Sequence, residues 1–134
     1  MTAATQTASK QSRFTSSLLD WSDQNTTSDH DGSFDVLLAS DVFYDLPSRE
    51  LLAKRMAEML KRDGTLLVAL PLESEYRPED QASPEAAAAC LGVLEREGFE
   101  VESTLEVRGA QLPGEGPEGL ANTRRCMIAT LAFK

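Results

Sequence analysis

Hydrophobic positions divide the chain into a polar lead-in and a patterned remainder. Met1–Ser17 is rich in Thr, Ser, Ala and Gln and carries no apolar periodicity, so it is expected to be disordered. Ser16–Asp23 is a short apolar island, and Gln24–Ser33, a run of Asn, Thr, Ser, Asp and Gly, reads as a loop. Order is expected to start firmly at Phe34. There Phe34-Asp-Val-Leu-Leu-Ala-Ser40 is an apolar run of strand length, the form taken by a strand buried on both faces of a parallel sheet. Asp41–Asp45 follows as a turn. From Ser48 to Arg62, Leu51, Leu52, Met56, Met59 and Leu60 fall on one helical face. Asp63-Gly64 reads as the stop of that helix, with Lys61 and Arg62 beside its C-terminal carbonyls.

The rest of the chain repeats this grammar. Thr65–Leu72 is a second buried strand, stopped near Pro71, and Glu73–Gln81 is a charged loop. Ser83-Pro84-Glu85 supplies a hydroxyl cap, a proline at the first helical position and an acid in the first turn. The helix it starts runs to about Glu97, with Ala87, Leu91 and Leu94 as its apolar stripe, and Gly98 ends it. Phe99–Val107 alternates apolar and polar, as a strand with one solvated face does. Gly109–Thr123, with four glycines and two prolines, is a long loop, and Arg124–Phe133 is the last strand. Two strand–helix units predict an α/β fold with parallel strands and right-handed crossovers. The last two strands have no helix between them and can pair antiparallel.

Composition narrows the function. A chain of 134 residues is one domain by length, and a formal charge of −9 argues against a basic surface for nucleic acid or anionic membrane. No apolar run approaches the ~20 residues that span a bilayer. A cytoplasmic location is expected, with the nucleus as the alternative. Cys90 and Cys126 fit neither a disulfide framework nor a zinc spacing and are expected to be small buried apolar residues. No metal site is expected, and His30, alone in its loop, is given no role.

The particular residues then sharpen the picture. Phe34–Tyr44 resembles the fourth strand and following turn of the small protein-lysine methyltransferases of the seven-β-strand, class I, S-adenosylmethionine-dependent fold. Asp41 and Tyr44 match that family's acid-x-x-aromatic motif. Leu60–Val68 is similar to the family's turn into the fifth strand, with Thr65 in place of the usual second glycine. Glu97–Val101 resembles the Gly-Phe-x-Val entry into the sixth, and Leu19–Asp23 resembles the end of the third. The resemblance runs from about Leu18 to Lys134. It implies the C-terminal half of a doubly wound, Rossmann-like methyltransferase sheet, with the family's strands in the order four, five, seven, six and the final strand antiparallel. The family's glycine-rich loop and ribose-binding acid would fall before Leu18, where only the polar stretch stands. No Gly-x-Gly occurs before Phe34.

By this resemblance, Asp41 receives and orients a substrate amine, Tyr44 shapes the acceptor pocket, and Trp21 and Asp23 hold the adenine of S-adenosylmethionine. An acid at the C-terminal end of a strand does sit where open α/β sheets bind ligands. The structural alternatives are that Asp41 caps a turn, Tyr44 packs on the next helix and Trp21 covers exposed sheet. Pro71–Glu73 is expected to be exposed loop rather than channel lining. The implied partner is a protein substrate with an acceptor lysine; a small-molecule acceptor and a catalytically inactive or partner-binding remnant stay open. With no first strand beside it, Val36–Ala39 is expected to form a sheet edge that favours self-association.

Overall fold

The computed structural model describes residues 13–108 and 125–134. Most of the polar lead-in and the expected late loop therefore lie outside the described residues. Four strands form one sheet: β1 (Phe34–Ser40), β2 (Leu60–Pro71), β3 (Phe99–Arg108) and β4 (Arg125–Phe133), in the spatial order β1-β2-β4-β3. Strand β1 runs parallel to β2, while β4 is antiparallel to both β2 and β3. This is the order and direction expected for the second half of a Rossmann-like methyltransferase sheet. The helices are α1 (Gln24–Thr27), α2 (Arg49–Met59) and α3 (Pro84–Arg96), with 3₁₀ turns at Ser28–His30 and Leu46–Ser48. Among the described residues no helix is long and apolar enough to cross a membrane.

One face of the sheet builds the core. Leu66, Val68 and Leu70 alternate along β2 and pack with Ala129 and Leu131 of β4. Leu52, Ala53 and Met56 of α2 and Ala87, Cys90 and Leu94 of α3 join them in a single cluster, so both longer helices cover the same face. At the far edge the Phe99 and Phe133 rings stack at 4.6 Å, and the Arg62 guanidinium lies 4.3 Å over Phe133. The N-terminus of α3 is built as expected: the Ser83 hydroxyl accepts from the Ala86 N–H at 3.0 Å.

Among the described residues the opposite face has no helix on it. Strand β1 was expected to be buried on both faces, yet Val36 is 50% and Leu38 77% exposed, and Leu105 of β3 on the same side is 60% exposed. The cause is position: β1 is an edge strand, and its apolar side chains on this side meet no covering element among the described residues. Cys126 also departs from expectation, being half-buried near a sheet end rather than in the core. The expected loop Gln24–Ser33 contains α1, because the Asp23 carboxylate accepts from the Asn25 N–H at 2.9 Å and starts a turn of helix.

Asp63-Gly64 does not stop α2. The helix ends at Met59, Leu60 is already extended at ψ 137°, and β2 runs through Gly64. Lys61 and Arg62 accordingly serve the sheet, Lys61 Nζ reaching Asp35 Oδ1 at 3.1 Å. Gly64 is there for space. A Cβ at this position would lie 2.6 Å from Leu60 Cδ1 and 2.9 Å from the Asp35 carbonyl oxygen, where three additional β2 residues arch over the start of β1. Because one neighbour is backbone, Gly64→Ala is expected to lose about 1–3 kcal/mol of stability in urea denaturation. An unchanged midpoint would show that the arch has room to yield.

Candidate functional site

Strands β1 and β2 run parallel, so their C-terminal ends lie together, beside the start of the antiparallel β4. At this end β1 stops because Asp41 adopts the left-handed conformation, φ 55°, which an aspartate tolerates better than most side chains. Its N–H still donates to the Ala69 carbonyl of β2 at 3.0 Å, which fixes the turn to the sheet. The chain then passes through Val42, buried Phe43 and half-exposed Tyr44 into the 3₁₀ turn and α2. A non-glycine residue in this region is uncommon, and such positions concentrate at working sites.

Next to Asp41 lies an open cleft of about 440 Å³, lined by Asp41, Pro71, Glu73, Arg77, Arg125 and Cys126 among others. Its charges are paired. Arg77 Nη1 donates to Asp41 Oδ1, and its guanidinium lies 5.9 Å from the centre of the Tyr44 ring. That bond to Asp41 pushes the Arg77 pKa further up. Across the cleft Arg125 joins Glu106 through Nη1 at 2.8 Å and Glu73 through Nε at 3.4 Å. The Arg125 backbone N–H also donates to Glu73, and this bond is the main cause holding the Glu73 carboxyl below the usual carboxylate range. Asp41 also lines a small, partly open hollow of about 10 Å³ with Phe43, Leu70 and Cys90 among others, close to the space that one water needs. Burial pushes the Cys90 thiol pKa up, which leaves it a weak nucleophile.

Two buried arginines hold the surrounding chain. Arg49, at the start of α2, donates Nε to the Phe43 carbonyl and Nη2 to the Asp80 carbonyl, each at 2.8 Å. It thereby ties the turn after β1 to the loop after β2. Arg55, roughly 9 Å further along the helix axis, donates Nε to the Trp21 carbonyl at 2.9 Å and pairs with Glu58 at 2.7 Å.

The four residues singled out from the sequence therefore fall into two pairs. Asp41 and Tyr44 meet at Arg77. Trp21 is half-buried against the hydrophobic core, and Asp23 spends a carboxylate oxygen on the α1 cap. No glycine precedes Gly32. Pro71 and Glu73 line the cleft, contrary to the expectation of exposed loop, because Arg125 draws the loop back over the sheet end. Arg77, Arg49 and Arg125 were not singled out. Only Arg77 carried a signal, as the one base within Glu73–Gln81. Among the described residues no cluster of His, Cys, Asp and Glu is suited to a metal ion.

A family model described as lysine methyltransferase matches residues 1–81, which include β1, α2, β2 and the loop carrying Arg77. No curated protein matches the sequence. A TehB-like SAM-dependent methyltransferase from Corynebacterium glutamicum shares the fold at a TM-score of 0.53 and 17% identity, covering 84% of this chain and 54% of that one. The 4+2 cyclase SpnF aligns at a TM-score of 0.52 and 19% identity, over 77% of this chain and 52% of its own. The chain spans about half the length of the solved structures it matches. Identities this low convey the fold alone, and a cyclase among them shows that this fold serves more than one chemistry.

Proposed function

The chain belongs to the lysine methyltransferase family, and on that premise we propose that it forms the acceptor side of a protein-lysine N-methyltransferase domain. The observation that carries this reading is the cation already seated at Asp41: a carboxylate at the end of β1, flanked by the Tyr44 ring, holds a guanidinium. A lysine ammonium presents the same charge to the same acid and aromatic ring. Asp41 would orient the substrate amine for in-line attack on a methyl group, and Tyr44 would wall the side of the approach. S-adenosylmethionine would supply that methyl. The acidic protein surface favours a basic polypeptide as substrate.

On this reading the described residues offer the cofactor only the neighbourhood of Trp21 and Asp23. One aromatic stack contributes on the order of 1 kcal/mol, whereas micromolar affinity requires about 8 kcal/mol. Calorimetry of this chain with S-adenosylmethionine is therefore expected to show no micromolar binding and no methyl transfer to lysine peptides. A micromolar Kd would overturn the acceptor-side reading. In a protein that joins this chain to a cofactor-binding half, Asp41→Asn is expected to remove most turnover and leave cofactor affinity unchanged. Unchanged turnover would return Asp41 to a turn-capping role.

The uncovered sheet face supports a second reading, in which the chain acts by association. Val36 and Leu38 stand exposed on an edge strand whose outer hydrogen-bonding groups have no strand beside them among the described residues. Self-association through Val36–Ala39 would pair that edge. Sedimentation equilibrium is expected to show concentration-dependent oligomers that Leu38→Glu shifts to monomer. A parent chain that stays monomeric at ~100 µM, far above the Kd of a specific dimer, would dismiss this reading.

A further inference from the structure

We propose that Arg77 is a built-in competitor for the acceptor site, an internal cation that occupies the Asp41 carboxylate until a substrate amine displaces it. The inference rests on the reading of Asp41 as the acceptor acid and adds a regulatory contact to it. Three observations on the loop after β2 carry it.

The first is the pose. Arg77 comes from the far side of the cleft, 36 residues along the chain, and meets Asp41 and the Tyr44 ring together. It thus takes up both groups that a substrate ammonium would need. The second is the attachment of the loop. Residues 78–83 are anchored: Arg49 holds the Asp80 carbonyl, and the Gln81 and Ala82 N–H groups donate to the Pro78 carbonyl. The Ser83 hydroxyl donates to the Glu79 carbonyl at 2.5 Å. Between this anchor and Glu73, the Tyr76 and Arg77 N–H groups donate to the nearby Ser74 hydroxyl, at 3.1 and 3.2 Å. The long-range contacts of Arg77 itself are those its side chain makes with Asp41 and Tyr44, so an incoming cation has only that side chain to turn aside.

The third is chemistry. A guanidinium stays protonated at every physiological pH, so Arg77 offers no lone pair to a methyl donor and blocks the site without being consumed. Both members of the pair are about one-third exposed. An ion pair this open is weak and screened by salt, so an incoming cation can replace it. The remaining charges on the cleft leave the exchange to Arg77. Arg125 is committed to Glu73 and Glu106 on the opposite wall.

A site closed by its own side chain loses apparent affinity in proportion to the fraction of time it is open, so closure for nine-tenths of the time costs about tenfold. The probe is n-butylammonium chloride, a lysine side-chain analogue. It is titrated into the isotope-labelled full chain at constant ionic strength while the Asp41 and Tyr44 amide resonances are followed. Arg77→Gln is expected to bind the amine about tenfold more tightly than the parent, and adding Asp41→Asn is expected to abolish the response. Arg77→Met, a second neutral variant that keeps the apolar stem, should match Arg77→Gln. Equal affinity in the parent and both neutral variants, lost with Asp41→Asn, would overturn the competitor role while leaving Asp41 as a cation site. No response at either amide in any variant would remove the acceptor reading itself, and the competitor with it.

Discussion

Strand β1 has a single neighbour in the described sheet, and the position of Asp41 depends on that one seam. Parallel pairing with β2 from Val36–Thr65 to Ser40–Ala69 sets the register, and the Asp41 N–H extends it by one bond beyond the strand. On the other side, β2 is locked to β4 along the buried alternation Leu66, Val68 and Leu70. The apolar contacts thus stabilise β2, β2 places β1, and β1 places the acid. A small disturbance at the start of the seam, where the Leu60–Thr65 arch crowds Asp35, propagates along β1 because a strand shifts as a unit.

Charge is used inward. Although the chain carries −9 overall, Arg49 and Arg55 are buried and Arg77 and Arg125 are drawn into the cleft. Burying a guanidinium costs several kcal/mol unless its N–H groups find acceptors. Arg49 finds them in two carbonyls belonging to the loops on either side of the cleft, so its burial doubles as a staple between them. The acceptor end of the sheet is therefore shaped by arginine bonds to irregular backbone, while the strands supply only the platform. The solved structures share the platform at 11–19% identity, in keeping with that division.

The platform was legible in the sequence because hydrophobic periodicity reports burial directly. The alternation at Leu66, Val68 and Leu70, the Ser83-Pro84-Glu85 start and the Gly98 stop each have a local cause and appear where their chemistry puts them. Asp41 was legible for a similar reason, standing where an apolar run ends. Gly64 misled: a glycine after an acid at the end of a helical pattern has the look of a C-cap, but here the need was for space beside Leu60 and Asp35. The exposed side of β1 was half legible. The apolar run gave burial on both faces, while the lack of a first-strand counterpart predicted an edge, and the edge prevailed. Arg49 and Arg125 were illegible, and Arg77 stood out only as the one base of its loop, because bonds that reach 31, 52 and 36 residues along the chain follow no period. Long-range bonds between loops leave no pattern in a one-dimensional reading.

If the seam between β1 and β2 is what holds the acid, the bond beyond its end must be as durable as those within it. Native-state hydrogen exchange of the Asp41 amide measures this directly, since that N–H is bonded to the Ala69 carbonyl. Protection equal to that of the β1 amides paired with β2 is expected, with joint loss of both on partial unfolding. Exchange of Asp41 at the rate of an unprotected loop, with β1 still protected, would contradict it.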